Sequence, residues 1–326
     1  MPIDLTTTDD TQLGVINGFE SQFNWLSNFH PSPLTWDGHT FATAEAAFAA
    51  GKTLDPALRA QIAAEESPLK AKQLGRRLAL RPQWDERYRH NVMGEVLAAK
   101  FAEPGLHAKL TATGDRLLIE RNDWHDDFWG DCSCPRHRTK LGRNMLGLAL
   151  MQLRSRLAGT AEDHWPRVAL TGHRDIPSQC LEWTLSELAR VTVKLRDGHG
   201  TRIAISGGAR GSDLWWADTA ADAGLAVWLY QPFPQQPDRW PAQWQQHHQR
   251  VRDRADRVAV LGSVYRTSLL FDRNDWMIRD SNALVAVVDP QHRGGGTHAA
   301  VTSALYNTPV IRIDIRVRDT RIIMPR

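Results

Sequence analysis

The chain has 326 residues, of which 42% are hydrophobic and 24% are charged, and its net charge is +3. This length is about twice that of a common single domain, so we expect two domains. Ordinary globular composition excludes a largely disordered chain. The small net charge excludes a strongly basic nucleic-acid binder, so any nucleic-acid substrate would be held at a local site.

The apolar runs and the number of cysteines indicate the cellular compartment that we expect for the protein. No run approaches the ~20 apolar residues of a membrane span, and residues 1–11 are polar and acidic, unlike a signal peptide. The three cysteines, Cys132, Cys134 and Cys180, are too few for a disulfide framework. We expect a cytoplasmic protein whose residues 1–14 form a frayed tail.

The first half of the chain has a helical pattern. Apolar spacing and Gly, Pro and Asp breaks predict an α-rich (α+β) domain at residues 15–158. Its predicted helices cover residues 43–54, 56–65, 68–80, 84–101, 106–113 and 144–157. The small, polar segment 158–165 is the predicted domain boundary.

The second half alternates short β-branched runs with helical stretches. The predicted strands are 168–170, 202–205, 226–230, 258–261, 283–288 and 310–313, and the predicted helices are 178–193, 213–223, 240–254, 268–280 and 297–306. Such alternation is typical of a parallel, doubly wound α/β sheet. We therefore predict a Rossmann-like domain at residues 166–316.

Two ionisable residues, Glu45 and Lys52, lie seven positions apart in the first predicted helix, for which Thr43 is the expected N-cap. Seven residues are about two helical turns, so both side chains share one face. An acid beside an amine can shuttle protons and attack an electrophile. By spacing alone, two solvated surface residues are the commoner explanation.

Acidic and aromatic residues are mixed in segment 120–130, directly after the apolar run 117–119. Carboxylates such as Asp126 stabilise positive charge at a sugar carbon, and rings such as Trp129 stack on a base or sugar. The segment suits a glycoside-cleaving site. An acidic loop anchored by structural tryptophans explains it equally well.

Cys132 and Cys134 form a Cys-x-Cys pair near His125 and His137. Together these residues offer four zinc ligands, but their spacing is not among the common zinc patterns. We therefore predict no metal and interpret the segment as a site loop with reduced thiols.

Three glycine-bearing turns in the second half each join a predicted strand to a predicted helix. Backbone N–H groups and the helix dipole at such turns suit a phosphate, and nearby arginines add bidentate contacts. Tight structural turns and surface arginines are the alternative explanation. The predicted nucleotide-binding residues are Gly172, Arg174, Gly207, Gly208, Arg210, Asp213, Gly295, Gly296 and Thr297.

An ordered series of motifs runs through residues 18–157. It comprises FNWLSNF at 23–29, Asp37-Gly38, Glu45 with Lys52, Leu74-Gly75-Arg76, Trp84, Lys100-Phe101, Leu110 with Thr113-Gly114, Asp126 with Trp129-Gly130, and Gly142, Asn144 and Leu146-Gly147. This series resembles the NADAR (YbiA-like) family. In the family, the first of the helices usually reads Glu-His-x-Phe-Gln, whereas here Ala46 and Ala49 replace the histidine and the glutamine.

The resemblance implies a compact α-rich fold and N-glycosidase activity without a redox cofactor. Members act on unstable riboflavin-pathway intermediates or remove ADP-ribose from the guanine amino group in nucleic acid. The resemblance implies that Glu45, Lys52 and Asp126 are catalytic. The implied substrate-binding residues are Asn28, Trp84, Trp129, Gly130, Gly142 and Asn144.

The glycine turns carry a second resemblance. The motifs Thr-Gly-His-Arg at 171–174, Gly-Gly-Ala-x-Gly-x-Asp at 207–213 and Gly-Gly-Gly-Thr at 294–297 are similar to the SLOG superfamily, close to its YspA/YpsA-like branch. This implies a Rossmann-like domain that binds nucleotide derivatives. Some enzymatic relatives have a glutamate after the last turn, whereas His298, Ala299 and Ala300 follow here. We therefore expect a binder or sensor rather than a second enzyme.

Together these features predict an N-glycosidase, a hydrolase that removes ADP-ribose from guanine in nucleic acid, fused to a domain that binds a nucleotide derivative. Riboflavin intermediates, or a non-catalytic ADP-ribose sensor, are the alternatives. We expect no cofactor and no membrane partner, and leave a homo-oligomer open. Either Lys52 captures the ribose C1 as a Schiff base while Glu45 or Asp126 shuttles protons, or a carboxylate activates water.

Overall fold

The computed structural model describes residues 3–4, 14–137, 141–292 and 294–325. The chain divides into two compact units, one comprising Asp10–Cys132 with Gly142–Ala161 and the other consisting mainly of Glu162–Arg326. Ile3–Asp4 form strand β1, and the rest of the predicted tail up to residue 13 lies outside the described residues. No helix in the described ranges combines the length and apolar composition that crossing a bilayer requires.

Helices are the main regular elements of the N-terminal unit, as the apolar spacing predicts. They are α1 (Ala44–Ala50), α2 (Pro56–Ala63), α3 (Pro68–Arg77), α4 (Arg89–Lys100), α5 (Pro104–Ala112) and α6 (Met145–Leu157). Side-chain caps from Thr43, Asp55 and Ser67 start the first three. The predicted helix 84–101 is in fact two elements, because Trp84–Tyr88 form a π-helical turn before α4 begins.

Short strands complete this unit, and most of them were not among the predicted elements. They are β2 (Val15–Asn17), β3 (Pro31–Trp36), β4 (His39–Thr43), β5 (Leu117–Ile119), β6 (Arg121–Asn122) and β7 (Asp131–Cys132). β3 and β4 form an antiparallel hairpin, and β5 pairs parallel with β2. The hairpin turn is Asp37-Gly38, both at positive φ, which is a common two-residue hairpin sequence.

The C-terminal unit is an eight-stranded sheet with helices between its strands. Its strands are β1, β8 (Arg167–Gly172), β9 (Ile203–Ser206), β10 (Ala226–Gln231), β11 (Arg257–Val260), β12 (Ala283–Val288), β13 (Val310–Asp314) and β14 (Asp319–Ile323). Its helices are α7 (Ser178–His199), α8 (Ser212–Asp222), α9 (Ala242–Arg254), α10 (Ser268–Asp280) and α11 (Gly295–Ala304). Strands β8–β13 are parallel, which confirms the predicted Rossmann-like class.

The strand order of this sheet is β1-β11-β10-β9-β8-β12-β13-β14, and both edge strands run antiparallel. The chain moves outward in one direction from β8 to β11 and then crosses back to β12 on the other side of β8. In open α/β sheets a ligand crevice lies at such a reversal, beyond the carboxyl ends of the strands. The fold therefore places a candidate crevice after β8, β9 and β12.

A lysine lies inside the N-terminal core. Lys100, at the last position of α4, has a side chain that is 1% exposed, and its Nζ donates a hydrogen bond to the Ser27 carbonyl at 2.7 Å. Burial lowers the pKa of Lys100 to about 7. One buried amine thus links α4 to the turn before β3.

We predict that Lys100 gives the N-terminal unit a distinctive pH dependence. Between pH 7 and its ordinary pKa, the unfolded chain binds a proton here that the folded chain does not. Stability therefore rises with pH by up to ~1.4 kcal/mol per unit. In Lys100→Met this contribution should disappear, whereas the exposed control Lys109→Met should keep it. Hydrogen exchange of the α4 amides at several pH values gives their opening free energies, and the slope of these free energies against pH measures the contribution of Lys100. Equal slopes in wild type and Lys100→Met would contradict the assignment.

Candidate active site

The first helix fixes the two ionisable residues at its ends. Thr43 Oγ1 accepts a hydrogen bond from the Ala46 amide at 3.2 Å, which starts α1, and the Glu45 amide donates to the Asn28 carbonyl at 3.0 Å. Lys52 follows α1, and its carbonyl accepts a hydrogen bond from the Arg81 amide at 2.7 Å. Backbone contacts with two other segments therefore set the positions of both side chains.

Glu45 and Lys52 are both pushed towards their neutral forms. The Glu45 side chain is buried, and this burial raises its pKa; Asp126 raises it further, while Lys72 and Lys52 oppose the shift. Burial also lowers the pKa of Lys52, against the opposing charge of Glu45. These opposite shifts in pKa favour the acid as a proton donor and the amine as a nucleophile.

Helix α3 brings cations to the same space. The charges of Lys72 and Arg76 act on both Glu45 and Lys52. The close approach depends on Gly75, where an added Cβ would lie 2.8 Å from the Ala49 Cβ and 3.6 Å from the Lys52 Nζ. A larger residue at position 75 would push α3 away from α1.

Three aromatic rings meet beside this pair. Phe48 of α1 lies with its ring centroid 5.4 Å from Trp84 and 5.3 Å from Trp129, and the Lys52 Nζ lies 5.6 Å from the Phe48 centroid. Trp84 is buried and Trp129 is half-buried. Sequence reasoning named the two tryptophans but not Phe48, which contacts both of them.

Asp126 organises the turn that carries Trp129. Its Oδ1 accepts hydrogen bonds from the amides of Phe128 at 3.1 Å and Trp129 at 2.8 Å. Asn122 holds the same turn from the other side, because its Nδ2 donates to the Asp126 carbonyl at 2.8 Å. The carboxyl group that is predicted to be catalytic therefore also shapes the aromatic wall.

The Asp126 turn is clamped to the start of α6. Asn144 is fully buried at a positive φ of 51°, its Oδ1 accepts a hydrogen bond from the Glu120 amide at 2.9 Å, and its Nδ2 donates to the Leu118 carbonyl at 2.8 Å. An added Cβ at Gly130 would lie 2.5 Å from the Glu120 carbonyl, and one at Gly142 2.4 Å from the Asp131 Cα. The structure thus gives these three predicted substrate-binding residues a tight packing role.

Two buried oxygens near this turn lack a hydrogen-bond partner among the described residues: Glu120 Oε2 and Asn28 Oδ1. Burial raises the pKa of Glu120 to about 8, and the charges of Asp126 and Glu45 raise it too. Glu120 is a candidate proton donor that sequence reasoning missed, since the only signal was its place at the start of the acidic segment. Asn28 presents an acceptor, as its Nδ2 faces the Met93 sulfur at 3.4 Å.

The predicted nucleotide-binding turns follow three neighbouring strands of the C-terminal sheet. Gly172 ends β8, Gly207 and Gly208 follow β9, and Gly295 and Gly296 follow β12 at the start of α11. Added Cβ atoms would clash at Gly172 and Gly208 but would meet open space at Gly295. The last turn is therefore the most open of the three.

The charged residues around these turns have different surroundings. Asp213 is buried, accepts a hydrogen bond from the Ala209 amide at 3.3 Å and lies 3.6 Å from Arg273, which also contacts the Gly207 carbonyl. Burial raises the pKa of Asp213 to about 6. Arg210 pairs with Asp175 at 3.0 Å, and Arg174 is exposed. Asp213 is therefore occupied in holding the loop after β9. The two arginines are the charged groups that an anion could contact.

Two family profiles match different parts of the chain. The profile of the NADAR domain matches residues 17–158, and that of the YspA SLOG family matches residues 185–309. The predicted recognition of both families is thereby confirmed.

The chain is similar to several proteins over its first half. It is 36% identical to N-glycosidase YbiA of Escherichia coli strain K12 over 149 residues, which are 44% of this chain and 89% of that protein. A riboflavin biosynthesis protein of Vibrio vulnificus is 31% identical over 153 residues, 45% of this chain and 38% of that protein. The NMR structure of the E. coli protein YbiA matches at 34% identity and a TM-score of 0.39, covering 48% of this chain and 89% of that one.

We predict that Asn144 stabilises this site through both its side chain and its backbone. Asn144→Ala leaves the Glu120 amide and the Leu118 carbonyl unpaired and forces alanine into left-handed backbone, at a cost of about 2–4 kcal/mol. Asn144→Gly loses the same hydrogen bonds but tolerates that backbone, so it should be less damaging by about 1 kcal/mol. Urea denaturation of both variants measures the difference. If alanine is tolerated as well as glycine, the backbone contribution is refuted.

Proposed function

The chain belongs to the NADAR family and is an N-glycosidase, and we propose that its substrate is ADP-ribose linked to the amino group of guanine in nucleic acid. The observation that carries this proposal is the meeting of a buried acid, a half-buried amine and an aromatic wall at Glu45, Lys52 and Phe48. A ribose bonded to an exocyclic amine needs those three elements: a proton donor, a nucleophile and a surface for the base.

In the first candidate mechanism Lys52 is the nucleophile. The ribose ring opens as its C1–O bond breaks and the ring oxygen takes a proton, which leaves an iminium at C1. The Lys52 amine in its neutral form adds to C1, and the base amine departs with a proton from Glu120, whose pKa is raised to about 8, or from Glu45, whose pKa is also raised. Water then hydrolyses the lysine Schiff base and releases the sugar.

In the second candidate mechanism water attacks directly. A carboxylate supports the oxocarbenium-like C1 and removes a proton from the incoming water, while a protonated carboxyl group protonates the leaving amine. Asp126 would be the base and Glu120 the acid, since the pKa of Glu120 is raised to about 8. Lys52 would then serve only to balance charge beside Glu45.

The charges around the site favour a phosphorylated substrate. Lys72 and Arg76 act on the catalytic pair from α3. Arg89 and Arg143 lie with their guanidinium carbons 3.7 Å and 5.6 Å from the Phe128 centroid, beside Trp129. Cations stacked on aromatic rings next to a reaction centre can hold phosphates while leaving ring faces for a base.

A second candidate substrate is a free riboflavin-pathway intermediate. The observation in its favour is the match to a Vibrio vulnificus protein whose name assigns it to riboflavin biosynthesis. Such an intermediate also carries a ribosyl phosphate on an amine, so the same cations and acids suit it. We place either reaction in the cytoplasm, where neighbouring thiols stay reduced.

We further propose that the C-terminal unit binds a nucleotide derivative such as ADP-ribose. The three turns after β8, β9 and β12 present helix N-termini and backbone amides at the reversal of strand order. Arg174 and Arg210 would contact the phosphates. Without an acid after Gly296, this unit acts as a binder or sensor.

The substrate question is decided by direct comparison. The full-length protein is incubated with a guanine-ADP-ribosylated oligonucleotide, with free ribosylated riboflavin intermediates and with buffer, and products are identified by mass spectrometry. Release of ADP-ribose with regeneration of guanine supports the proposal. Turnover of the riboflavin intermediates alone assigns the second candidate, and turnover of neither refutes both.

We predict that Lys52→Ala and Asp126→Ala each lower kcat by at least ~10²-fold, since positioned acids, bases and nucleophiles contribute about that much. The exposed α3 lysine gives a matched control, Lys70→Ala, which should keep wild-type kcat. Circular dichroism checks that each variant is folded. Near-wild-type kcat in both active-site variants would rule out this site.

Borohydride added during turnover separates the two mechanisms. Capture by Lys52 leaves a reduced sugar adduct on that residue, detectable by peptide mass spectrometry. Confirmed turnover without an adduct assigns direct hydrolysis instead.

For the C-terminal unit we predict that Gly296→Val weakens nucleotide binding at least tenfold without unfolding the sheet. An added Cβ at Gly296 meets only the Asn274 amide, at 3.7 Å, so the side chain would project into the crevice rather than into the core. Gly198→Val is the matched control, because Gly198 is also uncrowded but lies near the other end of α7. Calorimetry of the full-length protein with ADP-ribose measures both. Equal affinities would exclude this crevice as the binding site.

A further inference from the structure

We propose that His125, Cys132, Cys134 and His137 bind one zinc ion. The structure brings one ligand atom of each residue, two thiol sulfurs and two imidazole nitrogens, to within 4.8 Å of one another. All four come from a single stretch of thirteen residues, 125–137. This inference does not depend on which substrate the enzyme cleaves.

The distances suit a tetrahedral metal. Zinc lies about 2.3 Å from a sulfur and 2.0–2.1 Å from a nitrogen ligand, so two ligands of one zinc are about 3.6 Å apart. Cys134 Sγ and His137 Nδ1 are 3.3 Å apart. To share one ion, this pair would therefore move apart by only a few tenths of an ångström.

The chemistry of the donors selects the metal. Thiolates and imidazoles are ligands of zinc rather than of magnesium or calcium, which prefer oxygen. Two thiolates also neutralise the two positive charges of zinc, so the ion can lie among buried groups. Cys132, Cys134 and His137 are all buried, and His125 is exposed on the outer side.

The backbone holds these residues in place. Asn122 pairs with Cys132 in the β6–β7 ladder, and the His137 amide donates a hydrogen bond to the Cys134 carbonyl at 3.0 Å. His125 has a φ of +71°, a conformation that costs energy for a residue with a side chain. Binding of its imidazole to an ion would compensate for that strain.

Four protein ligands leave no open position, so the ion would be structural. It would hold together residues 125–137, which begin at the Asp126 turn. The spacing His-x6-Cys-x-Cys-x2-His is not a common zinc pattern, which is why the sequence favours reduced thiols without metal. The folded positions of the four side chains lead to the zinc proposal instead.

The test is made on full-length protein purified under reducing conditions. Elemental analysis should find about one zinc per chain in wild type and none in the double variant Cys132→Ser, Cys134→Ser. Cys180→Ala removes the third cysteine, which lies outside the cluster, and should retain the zinc. Wild type that is stripped with a chelator and reloaded with Co²⁺ should show intense thiolate-to-cobalt absorption.

Stripped wild type provides a readout that does not depend on the variants folding. Its melting temperature should fall and should recover with Zn²⁺ but not with Mg²⁺. Wild type that contains no zinc and shows no thiolate-to-cobalt band after reloading overturns the proposal. So does a Cys132–Cys134 disulfide that persists under reducing conditions, or a serine double variant that keeps its full zinc content.

Discussion

The desolvation of Glu45 and Lys52 is the constraint on which the candidate active site depends. In water the pair would be a carboxylate and an ammonium, which attract each other and can do little chemistry. Burial disfavours both charges, and their pKa values shift towards one another. The cap on α1, the contact at Gly75 and the aromatic ring of Phe48 matter because each helps to exclude water from this pair.

A second buried acid, Glu120, also has a pKa that is raised by desolvation. Glu120 lies under the influence of both Asp126 and Glu45, and one of its oxygens has no hydrogen-bond partner among the described residues. Several carboxyl groups in one poorly hydrated space cannot all be ionised, so at least one holds its proton near neutrality. The raised pKa makes Glu120 the carboxyl group best suited to hold that proton, while Asp126 Oδ1 accepts hydrogen bonds from two backbone amides.

The sequence predicted what depends on local signals. The Thr43 cap, the apolar spacing and the Gly, Pro and Asp breaks located the helices of the N-terminal unit within a few residues. The strand pattern located all six parallel strands of the C-terminal sheet. The β2–β5 and β6–β7 pairs were missed, because strands of two or three residues have no periodicity and form only through distant partners. The β3–β4 hairpin was missed too, although Asp37-Gly38 is a common two-residue hairpin sequence.

The residues of the candidate sites likewise fall into those that the sequence predicted and those that it missed. Motifs identified Glu45, Lys52 and Asp126, whereas Phe48, Lys72 and Glu120 gain their roles only from packing between segments far apart in sequence. In the C-terminal unit, the glycine turns were predictable. The burial of Asp213 beside Arg273 was not, because those residues are sixty positions apart and no local pattern joins them.

The departure of α1 from the usual family sequence has a structural consequence. Ala46 and Ala49 replace a histidine and a glutamine and are both buried, and an added Cβ at Gly75 would lie 2.8 Å from the Ala49 Cβ. Helix α3 can approach α1 this closely because position 49 has a short side chain, and the approach brings the charges of Lys72 and Arg76 to bear on Glu45 and Lys52. A glutamine in that contact would separate the helices or fill the space beside Lys52. In this chain the short side chain of Ala49 therefore makes room for α3, and the cations of α3 lie close enough to act on the pKa values of Glu45 and Lys52.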